Sequence, residues 1–171
     1  MNILYIGAGF VGTCSAAVSA DSGHNTLVYD IDQKKIAELG SQDRDVIESC
    51  LFEKGLGDLL IRSKERIRFT TSFIDVEAFL DTCDGVFMCL PTPEIGETGE
   101  SDLSYYVTAA ERLAAALKKR NNATQDKYIV IVNKSTVPVD MVGQTAHILE
   151  RDRRFVNVSN EKFINSRVHN V

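Results

Sequence analysis

Three glycines in the pattern G-x-G-x-x-G, namely Gly7, Gly9 and Gly12, have the types and spacing that most clearly suggest chemistry. Gly7 permits a tight turn, Gly9 has no Cβ to obstruct a pyrophosphate, and Gly12 lets a helix pack closely on a sheet. The free N–H groups and dipole of that helix favour a bound phosphate. The pattern alone recurs by chance, but an apolar run at 3–6 precedes it and a small-residue helical pattern follows. The stretch therefore predicts a dinucleotide site; the alternative is a tight strand-to-helix turn without a ligand.

An acidic residue follows at the distance that such a site requires. Asp30 ends a second apolar run, at 27–30, and lies 18 residues after Gly12. A carboxylate at about this distance binds the adenosine ribose hydroxyls. It favours NAD over NADP because it repels a 2′-phosphate, although Lys34 and Lys35 leave NADP open. FAD is a further alternative, since many flavoproteins begin in the same way.

The elements that position these residues alternate along the whole chain. The sequence predicts strands at 3–6, 27–30, 67–70, 85–90, 128–132 and 155–158. It predicts helices at 10–22, 33–39, near 56–60, from 72 to 80, at 103–119 and at 138–150. Strands that alternate with helices six times indicate the α/β class. We expect a Rossmann-type, doubly wound parallel sheet of six strands with helices on both faces.

Several local features complete this interpretation. We expect the first helix to bury Val11, Cys14, Ala17 and Val18, and we expect segment 40–57 to be irregular before the short helix. Aromatic residues of the 72–80 helix are expected in the core, and Asp102 is expected to cap the 103–119 helix. Thr92 and segment 133–136 follow strands, so they should lie near the ligand crevice.

Composition excludes some partners. With 171 residues the chain is expected to be one domain, and its net charge of -5 without a basic stripe argues against nucleic acid. No apolar run reaches the length of a membrane span, and the first strand begins directly at the N-terminus, so we expect a cytoplasmic protein. The four cysteines form no C-x-x-C pair. We expect reduced thiols, with Cys14 and Cys89 buried, and no metal site.

Later motifs carry a narrower resemblance. Segment 133–139 reads N-K-S-T-V-P-V, segment 101–105 reads S-D-L-S-Y, and V-S-N follows at 158–160. Together with E-x-G-L at 53–56, these motifs resemble the UDP-glucose 6-dehydrogenase family over nearly the whole chain. That family oxidises the C6 alcohol of UDP-glucose to a carboxylate, with two NAD and a cysteine-bound intermediate. The resemblance implies an NAD-dependent oxidoreductase.

The resemblance also implies roles for individual residues. Val11 would lie by the pyrophosphate, and Asp30 and Lys35 at the adenosine ribose. Thr92 would lie along the cofactor, and Thr136 near the nicotinamide and the catalytic water, where a hydroxyl can orient water or an oxyanion. The alternative for Thr136 is a hydroxyl that bonds its own loop or caps the next helix. The predicted cofactor-binding set is Gly7, Gly9, Phe10, Val11, Gly12, Asp30, Lys35, Thr92, Pro93, Ser135 and Thr136.

The sequence departs from the family near its end. Where the family reads P-E-F-L-x-E-G, segment 161–167 places Lys162 and Ser166 at the two glutamate positions, which leaves Glu161 and Lys162 as weak substrate candidates. The family's nucleophilic cysteine, in a G-x-C-x-P-K-D segment, has no counterpart in the 171 residues. We therefore expect an NAD-binding domain at 1–160, the start of a substrate loop at 161–171, and no complete reaction without a cysteine-bearing domain.

Three interpretations of function follow from this comparison. The first is the NAD-binding half of a UDP-glucose 6-dehydrogenase-like enzyme, which would bind the UDP-sugar and form a homodimer only with the missing part. The second is a non-catalytic NAD-binding module for regulation or for pairing with another subunit. The third is the same half of a UDP-N-acetyl-sugar or GDP-mannose dehydrogenase.

Overall fold

A computed structural model describes residues 1–96, 100–120, 128–137, 148 and 155–159. Its elements, in chain order, are β1 (Asn2–Ile6), α1 (Phe10–Asp21), β2 (Asn25–Tyr29), α2 (Gln33–Leu39), α3 (Arg44–Leu51), α4 (Leu56–Arg62), β3 (Ile67–Thr70), α5 (Phe73–Leu80), β4 (Gly85–Met88), β5 (Glu94–Ile95), β6 (Glu100–Ser101), α6 (Ser104–Lys118), β7 (Ile129–Asn133) and β8 (Phe155–Ser159).

Six of these strands form one sheet in the order β3-β2-β1-β4-β7-β8. Every neighbouring pair is parallel, so all six carboxyl ends meet at one edge. The chain order reverses between β1 and β4, and in such sheets the crevice at this switch point is where ligands bind. The predicted fold class, an α/β Rossmann-type parallel sheet, is confirmed.

Successive side chains of a strand point to opposite sides, and helices cover both faces of the central strands β1, β2 and β4. Leu4 and Ile6 pack with α5 and α6, in a cluster that includes Val76, Leu80 and Leu113. Ile3 and Tyr5 pack on the other face with residues of α1 to α4. This placement of helices on both faces fixes the ends of the strands relative to one another.

The buried face of α1 differs from the prediction. The buried residues are Gly12, Thr13, Ala16, Ala17 and Ala20. Of the predicted residues, Ala17 is buried and Cys14 is half-buried, whereas Val11 and Val18 are 46% and 58% exposed. Nearly every residue of this helix is small or apolar, so periodicity did not select a face. The small residues at 12, 16 and 20 face the sheet because they allow close approach.

Segment 40–57 is not irregular, because it contains α3. Asp43 caps this helix: its Oδ1 accepts the backbone N–H groups of Asp45 at 3.0 Å and Val46 at 3.2 Å. Ile47 is the buried residue of this helix. An aspartate followed four residues later by an isoleucine was the available signal, and the many polar residues obscured it.

The loop after β4 contains a short antiparallel ribbon, β5 paired with β6, which the sequence did not predict. Strand β4 also ends at Met88, two residues before the predicted end. Leu90 leaves the ladder because its N–H is donated to the side chain of Ser135 at 2.9 Å.

Helix α6 begins one residue later than expected. Its N-cap is Leu103, although the Asp102 carboxylate still accepts the Ser104 N–H at 2.9 Å. The predicted helix at 138–150 lies outside the described residues except for Ile148, which is helical and packs on the α5–α6 core. Among the described helices, none is both long and apolar enough to cross a membrane.

Candidate functional site

The glycine loop between β1 and α1 lies at the switch point of the sheet. Gly7 has a φ of 104°, and a Cβ there would overlap the carbonyl oxygen of Cys89. A Cβ at Gly12 would overlap the carbonyl oxygen of Gly7. Both positions therefore require glycine for backbone packing.

Gly9 has a different environment. Apart from Gly9 itself and its neighbours in the chain, no atom of the described residues lies within 4 Å of a Cβ built at Gly9, which lines the cleft at this end of the sheet. Gly9 is also the N-cap of α1 and has no side chain to bond the first N–H groups of that helix. This arrangement leaves the start of α1 accessible to an anionic ligand.

Asp30 faces the glycine loop from the end of β2. Its Oδ2 accepts the Ala8 N–H at 2.7 Å, and its Oδ1 accepts the Asp32 N–H at 3.0 Å. The carboxylate is therefore held in one orientation at the wall of the cleft, next to the loop. The predicted pairing of the glycine motif with an acid is present in the structure.

Two lysines near Asp30 have carboxylate partners. Lys35 Nζ lies 3.7 Å from Asp30 Oδ2, and Lys34 Nζ lies 3.7 Å from Glu38. Asp32 caps α2 by accepting the Lys35 N–H at 3.0 Å, and this bond holds the pKa of Asp32 below its ordinary value. The positive charge at this wall is therefore already balanced by carboxylates.

The opposite wall of the cleft joins the ends of β4 and β7. Thr92 donates its hydroxyl to the Thr136 carbonyl at 2.9 Å, and the two hydroxyl oxygens are 3.3 Å apart. Ser135 is buried; its hydroxyl accepts the Leu90 N–H and donates to the Met88 carbonyl at 3.3 Å. Ser135 therefore ties the two strand ends together, whereas Thr136 is exposed.

A cleft of about 820 Å³ runs between these walls. Nine of the eleven predicted cofactor residues line it: Gly7, Gly9, Phe10, Val11, Asp30, Lys35, Thr92, Ser135 and Thr136. Gly12 instead lies under the loop, where it packs α1 against Gly7. Pro93 is exposed, and its carbonyl accepts the Asp102 N–H at 2.6 Å, which directs it into the β5–β6 ribbon and away from the cleft. Glu161 and Lys162 lie outside the described residues.

Sequence reasoning missed one wall of this cleft. Helix α6 contributes Tyr105, Thr108 and Arg112, and the start of α5 contributes Phe73. The aromatic residues of α5 were predicted to be core only; Phe73 does pack on the core, but it also lines the cleft. The spacing of 105, 108 and 112 places these residues on one face of a helix, and this periodicity was the available signal.

None of the four cysteines has the environment of an activated nucleophile. Burial raises the pKa of Cys89 to about 12, against the opposing charge of Lys134, and raises that of Cys83 to about 11. Burial and Glu38 raise the pKa of Cys50 to about 11, and burial followed by Glu53 raises that of Cys14. A reactive cysteine needs a lowered pKa, so these thiols stay protonated at neutral pH. The predicted full burial of Cys14 and Cys89 is wrong, since both are half-buried; Cys83 is the buried cysteine.

The residues present fit a dinucleotide. The cleft has the volume of an organic cofactor site. The unobstructed Gly9, the accessible start of α1 and the oriented Asp30 provide the groups that bind a pyrophosphate and a ribose. Among the described residues, no group of acidic, histidine or cysteine side chains forms a metal site.

Comparison with known families gives a match over most of the chain. Residues 1–165 match the model of the UDP-glucose/GDP-mannose dehydrogenase family, NAD binding domain. UDP-glucose 6-dehydrogenase AglM of Haloferax volcanii is 35% identical over 147 residues, which are 84% of this chain and 31% of that protein. UDP-glucose 6-dehydrogenase TuaD of Bacillus subtilis is 33% identical over 168 residues, 95% of this chain and 33% of that protein. The chain thus spans about a third of the length of these curated relatives.

Solved structures show the same fold. A ternary complex of GDP-mannose dehydrogenase from Pseudomonas aeruginosa superposes with a TM-score of 0.78 at 23% identity, covering 93% of this chain and 35% of that one. UDP-D-ManNAc dehydrogenase from Pyrococcus horikoshii gives a TM-score of 0.68, also at 23% identity and with the same two coverages.

Proposed function

The chain belongs to the UDP-glucose/GDP-mannose dehydrogenase family, as its NAD-binding domain, and we propose that it provides the NAD half-site of a nucleotide-sugar dehydrogenase resembling UDP-glucose 6-dehydrogenase. The observation that carries this proposal is the Asp30 carboxylate, which is fixed against the glycine loop by the Ala8 N–H at 2.7 Å. It brings a ribose-binding acid next to a phosphate-binding helix start, as adenosine diphosphoribose requires. We assign residues 1–160 to this domain and 161–171 to the start of a substrate loop.

In this proposal each wall of the cleft binds a different part of NAD. The pyrophosphate lies at Gly9 and Val11, where the start of α1 offers free N–H groups. Asp30 accepts hydrogen bonds from the adenosine ribose, with Lys35 beside it. The cofactor then extends along Thr92 towards Thr136. NAD supplies the hydride-accepting chemistry when it is bound.

The charge balance of the ribose end supports NAD over NADP. A 2′-phosphate would lie against the Asp30 carboxylate, and both nearby lysines are already paired with carboxylates. A phosphate would therefore have to compete with Asp30 for Lys35 and with Glu38 for Lys34. Surface ion pairs are weak individually, so the repulsion by Asp30 carries most of the discrimination.

Thr136 is our candidate for a catalytic group. Its hydroxyl is exposed at the cleft and lies 3.3 Å from that of Thr92, whose own proton is directed to the Thr136 carbonyl. Thr136 Oγ1 can therefore bond Thr92 or turn towards a water molecule. We propose that it orients a water or a developing oxyanion near the nicotinamide.

We propose UDP-glucose as the substrate of the complete enzyme, oxidised to UDP-glucuronate with two NAD. The raised pKa of every cysteine supports the view that this chain by itself does not turn over the sugar, since none of them is suited to form the covalent intermediate. The complete enzyme would provide the nucleophilic cysteine from another domain, form a homodimer and act in the cytoplasm. Glu161 and Lys162 would approach the substrate.

One observation favours a second function. Lys162 and Ser166 stand where the family has glutamates, so a non-catalytic NAD-binding module, acting through a partner subunit, is the alternative. A UDP-N-acetyl-sugar or GDP-mannose dehydrogenase would share the same NAD half-site.

Calorimetric titration tests the proposal. The 171-residue chain should bind NAD, bind NADP at least about tenfold more weakly, and form no NADH when UDP-glucose and NAD are both present. The full product of the gene should form NADH from UDP-glucose and NAD. NAD binding without turnover by that full product would favour the non-catalytic module, and absence of NAD binding would overturn both functions.

A further inference from the structure

Arg112 forms a cluster with two aromatic residues at one end of the cleft. Its guanidinium carbon lies 3.9 Å from the centre of the Phe73 ring, and one of its nitrogens donates to the Tyr29 hydroxyl at 3.1 Å. Tyr29 and Phe73 contact each other edge to face, with ring centres 5.4 Å apart. The guanidinium plane is therefore held by a cation–π contact and a hydrogen bond.

This cluster lies beside the ribose end of the cleft. Tyr29 immediately precedes Asp30, and Tyr29, Phe73 and Arg112 all line the same cleft as Asp30 and Gly9. Phe73 begins α5, which follows β3, and β3 lies on the side of β2 away from β1. A ligand with its pyrophosphate at the end of β1 and its ribose at the end of β2 would direct its base away from β1, towards this cluster.

The chemistry of the cluster suits a flat aromatic base. One face of the guanidinium is covered by Phe73, while the residue is exposed and lines the cleft. The bond to Tyr29 uses one of the five N–H donors of the guanidinium, and purines offer ring nitrogens as acceptors. Because the plane is already held, a base that stacks on it immobilises no further side chain.

Resting on the proposed function, we propose that Arg112 is a specificity-determining residue that stacks on the adenine of NAD, with Tyr29 and Phe73 as its positioning residues. A 2′-phosphate is the other chemistry that an arginine at this end could bind. The cluster favours the base, because the Asp30 carboxylate beside the ribose would repel that phosphate, and because the cation–π contact with Phe73 and the bond to Tyr29 hold the guanidinium in place.

Calorimetry on the full 171-residue chain with two dinucleotides tests this inference. The ligands are NAD and nicotinamide cytosine dinucleotide, which carries a single-ring base in place of adenine. Arg112→Met removes the charged guanidinium plane. It should weaken the binding of NAD by about 2- to 30-fold and the binding of the cytosine analogue by less. Arg112→Lys should resemble Arg112→Met because an ammonium has no plane to stack. Tyr29→Phe removes only the hydroxyl and should give a smaller loss.

The ratio of the two affinities separates base recognition from a structural role. A structural role would lower both affinities by the same factor, and that result would overturn the inference. Unchanged binding of NAD by Arg112→Met would also overturn it while leaving the proposed function intact. Loss of NADP binding alone, in a parallel titration with NADP, would assign Arg112 to a 2′-phosphate and overturn it in the same way. Failure of the unaltered chain to bind NAD would overturn the proposed function and, with it, this inference.

Discussion

The carboxylate of Asp30 accepts the backbone N–H of Ala8 at 2.7 Å, although 22 residues separate them along the chain. The bond joins the end of β2 to the glycine loop that follows β1. It fixes the acid beside the start of α1, so a ligand that contacts both groups meets them already oriented. Pre-organisation of this kind lowers the entropic penalty of binding.

Removing the Asp30 carboxylate should chiefly lower the affinity for NAD, with a smaller effect on folding stability. Asp30→Ala should lower NAD affinity by roughly 10- to 100-fold, as expected for loss of hydrogen bonds to a charged group, and should raise the ratio of NADP to NAD affinity. Calorimetry with both dinucleotides measures the two effects. Asp43→Ala is the matched control, because Asp43 also accepts two backbone N–H groups but caps α3 away from the cleft. Equal NAD affinities in the two variants would contradict the assignment of Asp30.

Alanine at Gly9 should weaken NAD binding, whereas alanine at Gly12 should lower the free energy of unfolding. Gly9 has an ordinary φ of -72° and open space at its Cβ position, so Gly9→Ala should melt near the unaltered chain yet bind NAD roughly tenfold more weakly. At Gly12 a Cβ would overlap the Gly7 carbonyl, so Gly12→Ala should lose about 1–3 kcal/mol of unfolding free energy. Thermal melts and NAD titrations measure both effects. A Gly9→Ala variant that retains full affinity would argue against close approach of the pyrophosphate.

The neighbours Ser135 and Thr136 should differ in how much the loss of each hydroxyl lowers the free energy of unfolding. Ser135→Ala leaves the Leu90 N–H without its partner in a partly buried position and should lower the unfolding free energy by about 1–3 kcal/mol. Thr136→Val removes an exposed hydroxyl, so its effect on stability should be below about 1 kcal/mol. Denaturant titrations give the two values. A reversed order would show that the strand ends are not joined through Ser135.

The raised pKa of Cys89 predicts a loss of stability at alkaline pH. Below the ordinary thiol value of 9.0 the group is neutral in both states; above it the unfolded chain ionises first, and the folded state loses stability as the pH approaches about 12. Cys89→Ala lacks this contribution. The difference in melting temperature between the unaltered chain and this variant should therefore shrink between about pH 8 and about pH 10. A difference that stays constant over this range would be inconsistent with a raised pKa of the Cys89 thiol in the folded state.

Local patterns in the sequence predicted most of the sheet. Runs such as 3–6 and 85–90 are continuously apolar, which is the pattern of a strand covered by helices on both faces of a parallel sheet. Helix α2 was also predictable from local signals, because Asp32 caps its start and Gly40 ends it. The face of α1 was not predictable in this way, because a helix rich in alanine offers no contrast between an apolar and a polar side.

Interactions between distant segments decided the rest of the site. Arg112 meets Tyr29 across 83 residues, and Thr92 meets Thr136 across 44. No periodicity in the sequence encodes such pairs, because they depend on which strand lies next to which. Their places after strands and the resemblance to a family pointed to Thr92 and Thr136, whereas the contact of Arg112 with Tyr29 became visible only in the folded chain.

By itself, the sequence determined the glycine loop, the acid of β2 and the alternation of strands and helices, because turn geometry, burial and helix capping act over a few neighbouring residues. The tertiary structure alone decided that β1 lies between β2 and β4, and that α6 forms a wall of the cleft. It did so because packing both faces of one sheet brings together side chains that are far apart in the chain.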